Sequence, residues 1–227
     1  MKKGISISYS IVNYYKRVFA TIMSMVSFSC IVVAGGKSTR MGMDKRSLKL
    51  REKSFFEIAV ENARKVSSNV IISLGSKDQI EDDMEGVEIV FDEEKERGPL
   101  FALVSSLKAC KKEYAALLPV DAPLLKPRVY ERMALEIEKN PRLEAVIPRS
   151  PHGDEPLFGM YNVQVFLKAC RETIAKGEES VAGAVSLLKN VRYLDLEEFR
   201  AVDPKLLSFH NVNTPLDLEQ LKEKMND

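Results

Sequence analysis

Tryptophan is absent from the 227 residues, histidine occurs twice and cysteine three times. Cys30, Cys110 and Cys170 are odd in number, far apart and without any C-x-x-C spacing, which argues against a disulfide framework or a zinc site. Each reads as a small buried apolar residue, and a reducing cytoplasm is the simplest home for three free thiols. An excess of one charge is also lacking. Thirty-four Lys and Arg against thirty-three Asp and Glu leave a formal net charge of +1. No overall field draws in nucleic acid or an anionic membrane, so any anionic ligand has to be held by a local cluster. Long apolar runs are missing too. Met1-Lys2-Lys3 ahead of Ile5 to Met25 has the outline of a leader, but Ser6, Ser8, Tyr9, Asn13, Lys16 and Arg17 interrupt it, leaving neither an h-region nor a membrane span. The expectation is an N-terminal extension over residues 1–22, disordered or peripheral, followed by a single domain over 23–227. Internal repeats, low-complexity tracts and linkers are absent as well.

From Val26 onward, apolar runs of strand length alternate with segments of helical periodicity, the pattern of a three-layer α/β/α fold on a mostly parallel twisted sheet. The predicted strands are Phe28–Ala34, Val70–Leu74, Val87–Phe91, Tyr114–Val120, Ala145–Pro148 and Pro156–Tyr161. Helices are predicted from Ser54, whose Ser-x-x-Glu57 matches a capping box, from Pro99, from Pro127 to Lys139 and from Val163 to Lys176. A last helix begins at Thr214-Pro215, with Leu216, Leu218 and Leu221 as its apolar face. Weaker apolar signals cover Val181–Leu188 and Val191–Leu194.

In open parallel sheets ligands bind beyond the carboxyl ends of the strands, so the loops that follow the strands are where chemistry is expected. The first such loop runs Ala34-Gly35-Gly36-Lys37-Ser38-Thr39-Arg40-Met41-Gly42-Met43-Asp44-Lys45. Paired glycines let the backbone approach a ligand closely, and Arg and Lys neutralise phosphate charge. It is neither a Walker loop nor the dinucleotide G-x-G-x-x-G. Asp92 follows the third strand and heads a charged run that by itself reads as a solvated face. Asp121 lies between an apolar strand and Ala122-Pro123, a position suited to a metal carboxylate. Asn213 reads equally well as a turn cap or as a ligand contact. His152 and His210 read as loop or surface residues, and nothing in the spacing of Arg149 and Arg192 separates them from ordinary exposed arginines.

Ala-Gly-Gly-x-Ser-x-Arg-Met-Gly-x-Asp-Lys resembles the opening motif of the molybdenum cofactor guanylyltransferases (the MobA family), within the nucleotidyltransferases of sugar-nucleotide type. Gly98-Pro99-Leu100, Asp121-Ala122-Pro123, Glu155-Pro156-Leu157 with Tyr161, and Asn211-Val212-Asn213-Thr214-Pro215-x-Asp217-Leu218 are similar to later family segments, from about Val26 to the C-terminus. Three positions depart from the pattern: Val33 for Leu, Ala102 for Gly, and Ser73 where some relatives carry a base-contacting Asn.

The resemblance implies a Rossmann-like nucleotidyltransferase fold and Mg²⁺-dependent transfer of GMP from GTP to the terminal phosphate of molybdopterin. Arg40 and Lys45 would bind the β- and γ-phosphates, and Asp121 would hold Mg²⁺. Val33, Ala34, Gly35, Gly36 and Asp92 would contact the nucleotide, and Asn213 the pterin. Transient contact with molybdopterin-supplying and molybdoenzyme-maturation proteins is implied too. Two alternatives stay open. One is a cytidylyltransferase acting on molybdopterin or another phosphorylated metabolite. The other is a non-catalytic nucleotide-binding module, which predicts loss of a phosphate ligand or the metal carboxylate, whereas Arg40, Lys45 and Asp121 are all present.

Overall fold

The computed structural model describes residues 26–34, 45–75, 84–91 and 98–226. In chain order the elements begin with β1 (Phe28–Val33), a 3-10 turn at Lys45–Ser47, β2 (Lys49–Leu50), β3 (Lys53–Ser54), α1 (Phe55–Val66), β4 (Val70–Leu74) and β5 (Val87–Phe91). There follow α2 (Pro99–Ala109), β6 (Tyr114–Pro119), α3 (Arg128–Lys139), β7 (Ala145–Ser150), β8 (Gly153–Asp154), a 3-10 turn at Pro156–Phe158 and β9 (Met160–Asn162). The chain closes with α4 (Val163–Ala175), α5 (Val181–Ser186), β10 (Val191–Asp195), two further 3-10 turns and α6 (Pro215–Asn226).

Eight of these strands form one sheet in the order β10-β7-β9-β6-β1-β4-β5, with β8 paired to β7. β1 pairs parallel with β4 and β6, β4 with β5, and β7 with β10. β9 runs antiparallel between β6 and β7. The carboxyl ends of β1, β4, β5, β6 and β7 therefore share one edge of the sheet. Alternation along β1 shows why helices cover both faces. Cys30 and Val32 pack with α1, α3 and α6, whereas Ile31 and Val33 pack with α2, α4 and α5. Every residue of β6 is buried, as its continuous apolar run requires. Each fully buried Leu, Ile or Phe contributes roughly 1.5–3 kcal/mol of transfer free energy.

The amino ends of the central strands are closed by polar groups that satisfy one another. Ser29 Oγ donates to Asn69 Oδ1 at 2.6 Å, and the main-chain N–H groups of Lys111 and Lys112 donate to Asn69 Oδ1 and Ser29 Oγ. Cys30 and Cys170 are buried and Cys110 half-buried, all three as free thiols. Burial pushes the Cys110 thiol up to about 11 and the Cys170 thiol up to about 12, which suits packing and not nucleophilic chemistry.

The capping box at the start of α1 is formed as expected. Ser54 Oγ accepts from Glu57 N at 3.1 Å, and the Glu57 carboxylate accepts from Ser54 N at 2.7 Å. Ser54→Ala is expected to lower stability by about 1 kcal/mol, read from the urea midpoint at unchanged slope.

Two expectations are corrected and one element is added. Pro156–Tyr161 is not one strand but a 3-10 turn followed by a three-residue antiparallel strand. The short β2–β3 hairpin has no counterpart in the strand pattern of the sequence; its turn places Arg51 at φ 57°. Leu216 does not join the apolar face of α6 but stands 60% exposed, while Leu221 is fully buried and Leu218 packs on the core. Residues 1–22, for which an extension is expected, lie outside the described residues. No described helix is long and apolar enough to cross a membrane.

Candidate active site

At the carboxyl edge β1 is laced to its two neighbours by the residues one position beyond β1 and β6. Ala34 N donates to Ser73 O at 3.1 Å, and Val120 N donates to Val33 O at 3.2 Å. Val33, the last residue of β1, and Ala34 are buried there. Ser73, almost fully buried, is occupied as a sheet residue beside Val33. Gly35, Gly36, Arg40 and Asp92 lie outside the described residues. Lys45 opens the 3-10 turn that returns the chain toward α1.

Asp121 stands two residues beyond β6 and is partly exposed. Its carbonyl accepts from Val212 N at 2.8 Å, so the closing Asn211-Val212-Asn213 segment is brought to Asp121 across more than ninety residues of chain. Two tight turns follow, from Ala122 N to Pro119 O at 3.4 Å and from Leu125 N to Ala122 O at 3.1 Å. Asn62 on α1 donates its side-chain N–H to Leu125 O at 2.9 Å. Lys126 then meets the C-terminal stretch twice. Its N–H donates to Ser208 Oγ at 3.0 Å, and its ammonium lies 2.8 Å from Asp203 Oδ1. The other Asp203 oxygen accepts from Ser208 N at 2.8 Å. Burial alone would raise the Asp203 pKa, but Lys126 and Ser208 outweigh it and hold the carboxyl below the usual range.

Beyond Val212 the chain turns into α6. Thr214 Oγ1 accepts from Asp217 N at 3.1 Å, and the Asp217 carboxylate accepts from Asn213 N and Thr214 N at 2.7 and 2.8 Å. Those N–H donors, Asn213 foremost, keep the Asp217 carboxyl below its ordinary value. The cap is thus built by Thr214 and Asp217, to which Asn213 lends its backbone N–H. Burial, helped by Lys224, holds the nearby His210 imidazole below its usual value.

The Glu155-Pro156-Leu157 turn is fastened to the same edge. Glu155 N donates to Pro148 O at 2.8 Å, Tyr161 OH to Pro156 O at 2.6 Å, and Leu117 N to Gly159 O at 2.9 Å. Burial pushes the Glu155 carboxyl up. Arg149 is paired with Asp154 at 2.6 Å and lies 4.0 Å over the Tyr193 ring, while Arg192 is bonded to Glu198 at 2.9 Å. Both arginines are engaged in fold-level pairs, and His152 is exposed.

No group of three or more His, Cys, Asp or Glu able to hold a metal occurs among the described residues. A lone carboxylate at a strand end still fits Mg²⁺ bound together with a polyphosphate, because Mg²⁺ commonly takes one or two protein carboxylates and keeps phosphate oxygens and water. Among the described residues the structure therefore joins Val33, Ala34, Asp121 and Asn213 at one edge. The Asp203–Lys126–Ser208 bracket behind them was missed, because an Asp before Pro204 reads from sequence as an ordinary surface turn.

The sequence matches the MobA-like NTP transferase domain over residues 30–195. A probable molybdenum cofactor guanylyltransferase of Methanosarcina mazei is 31% identical over 212 residues, 87% of this chain and 92% of that protein. Among solved structures, molybdopterin-guanine dinucleotide biosynthesis protein A of Archaeoglobus fulgidus superposes with a TM-score of 0.73 at 26% identity, covering 87% of this chain and 98% of that one. A 2-C-methyl-D-erythritol 4-phosphate cytidylyltransferase of Thermus thermophilus shares the fold, with a TM-score of 0.65 at 14% identity over 89% and 100% of the two chains.

Proposed function

The chain belongs to the MobA-like NTP transferase family, and from that premise we propose that it transfers GMP from GTP to the terminal phosphate of molybdopterin, releasing pyrophosphate. The observation that carries this reading is the bond from Val212 N to the Asp121 main-chain carbonyl, which brings the backbone of the closing Asn-x-Asn segment to Asp121 at the carboxyl edge of β1 and β6.

An oxygen of the pterin phosphate attacks the α-phosphorus. The new P–O bond forms as the bond to the bridging oxygen of the β-phosphate breaks, and pyrophosphate leaves with the electron pair. A phosphate monoester is largely ionised near neutral pH, so no general base is required, and a chain with two histidines is adequate. What the protein must supply is alignment and charge neutralisation. Arg40 and Lys45 bind the β- and γ-phosphates, and Asp121 holds Mg²⁺. The ion, when bound, supplies Lewis-acid neutralisation of the phosphate oxygens. Ala34 N–H is committed to Ser73 O and Val33 O already accepts from Val120 N, so Val33 meets base or ribose only through the second lone pair of its carbonyl, with Ala34, Gly35, Gly36 and Asp92 as the other nucleotide contacts. Asn213 orients the pterin.

We place the protein in the cytoplasm, with residues 23–227 as the transferase domain and the molybdopterin-supplying and molybdoenzyme-maturation proteins as transient contacts. Incubation with Mg²⁺, molybdopterin and each of the four nucleoside triphosphates tests the activity. Pyrophosphate release with GTP is expected to exceed that with CTP by about 100-fold or more. Release with CTP alone overturns the guanylyl reading in favour of the cytidylyltransferase alternative.

A further inference from the structure

We propose that Asp203 is a positioning residue for this transferase, holding the Asp121–Lys126 turn and the Asn211–Asn213 segment in the single register that presents Asp121 and Asn213 together; the proposal rests on the guanylyltransferase reading above.

Asp203 has no part in the mechanism just described, yet its carboxylate is fully buried. A charge in that position is costly unless it is compensated: Oδ2 accepts from Ser208 N, while Oδ1, buried and without a hydrogen bond of good geometry, is neutralised by the Lys126 ammonium 2.8 Å away. Ser208 Oγ closes the ring by accepting from Lys126 N. The Asp121–Lys126 turn is thereby tied at its far end to residues 203–208 and at its near end, through Asp121 O, to Val212. One short stretch of chain grips both ends of the turn that carries the metal carboxylate. The stretch is itself fixed from the other side, where the Phe209 ring packs at 5.5 Å from Phe158 and 5.0 Å from Phe199. The bracket requires a carboxylate in particular. One partner is a main-chain N–H that needs an acceptor and the other an ammonium that needs a negative charge, so the isosteric amide of Asn can still accept from Ser208 N but leaves Lys126 uncompensated, with its NH₂ turned toward the ammonium. Loosening the bracket lets Asp121 and Asn213 shift relative to each other, and small misplacements of aligned groups cost large factors in rate.

The test uses the full chain with Asp203→Asn and, as the milder change, Ser208→Ala. Calorimetric titration with GTP at several Mg²⁺ concentrations gives the Mg²⁺ needed for half-maximal nucleotide binding. Pyrophosphate release gives kcat and the KM for molybdopterin, and circular dichroism gives the folded fraction. Asp203→Asn is expected to lower kcat per folded molecule at least ~10-fold and to raise the half-saturating Mg²⁺ about threefold or more. Ser208→Ala moves both in the same direction by less. Should Asp203→Asn fail to fold, the Ser208→Ala shifts decide. Variants that lose only melting temperature, with kcat per folded molecule and Mg²⁺ half-saturation unchanged, assign Asp203 a merely structural role and overturn the proposal. A wild-type protein that neither binds Mg²⁺–GTP nor releases pyrophosphate overturns the transferase reading and this proposal with it; wild-type binding with unaltered variants overturns this proposal alone.

Discussion

Asp121→Asn is expected to slow guanylyl transfer by on the order of 10³-fold while the protein stays folded. The loss comes from removing one negative charge where a metal-bound triphosphate has to be neutralised and aligned, a task for which neutral Asn is a poor ligand. The tie from Val212 is to the Asp121 main-chain carbonyl, which the substitution retains. Asn has nearly the shape of Asp, so at this partly exposed position between buried Val120 and Ala122 the expected change in stability is roughly 1 kcal/mol or less, about 2–4 °C in a chain of this size. The measurement is kcat/KM for GTP at saturating molybdopterin, with the thermal midpoint recorded on the same sample. Full turnover in the variant removes Asp121 from the metal role whichever base the enzyme prefers. A large fall in midpoint would instead mean that the side chain carries fold-level contacts, and the rate would then have to be expressed per folded molecule.

How far this edge could be foreseen differs residue by residue, for physical reasons. β6 was legible because a doubly buried strand must be apolar throughout, and α1 because Ser54 and Glu57 satisfy each other locally. β9 was not. It is three residues long, its pairing with β6 and β7 is entirely long-range, and Pro156 supports a 3-10 turn where an apolar run suggests strand. Leu216 falls off the apolar face because of the helical period itself. Leu218, Leu221 and Met225 lie three and four residues apart on the core side, which sends Leu216, two positions before Leu218, to the opposite face. At the site, the loop residues and Asp121 stand out by type and place, and only a family motif relates Asn213 to them. Asp203 carried no local signal at all, because its burial is created by the return of the C-terminal stretch over the Asp121–Lys126 turn.

That return lies beside a second tightly determined point, where Gly159→Ala is expected to cost about 3 kcal/mol or more. The demand for glycine is steric and not conformational, since its φ of −73° is open to any residue. A Cβ there would fall 2.6 Å from Tyr161 Cε2 and Oη and 2.7 Å from Cζ. The ring has nowhere to go: Tyr161 is fully buried, stacked on Phe166 at 3.8 Å with an interplanar angle of 11°, and its hydroxyl donates to Pro156 O. Retreat of the backbone is opposed as well, because Gly159 O accepts from Leu117 N in the middle of β6. Relief therefore has to break the ring stack, the hydroxyl bond or a ladder bond of the strand that ends beside Asp121. At roughly 2–4 °C per kcal/mol in a chain of this length, the midpoint should fall by about 6–12 °C. Tyr161→Phe in the Gly159→Ala background removes one of the three close atoms, so the double variant should be more stable than the sum of the single changes, a coupling that a denaturation cycle measures. Additive effects, or a loss below 0.5 kcal/mol for Gly159→Ala alone, would show that the Pro156–Phe158 turn yields and that β6 is not braced from this side.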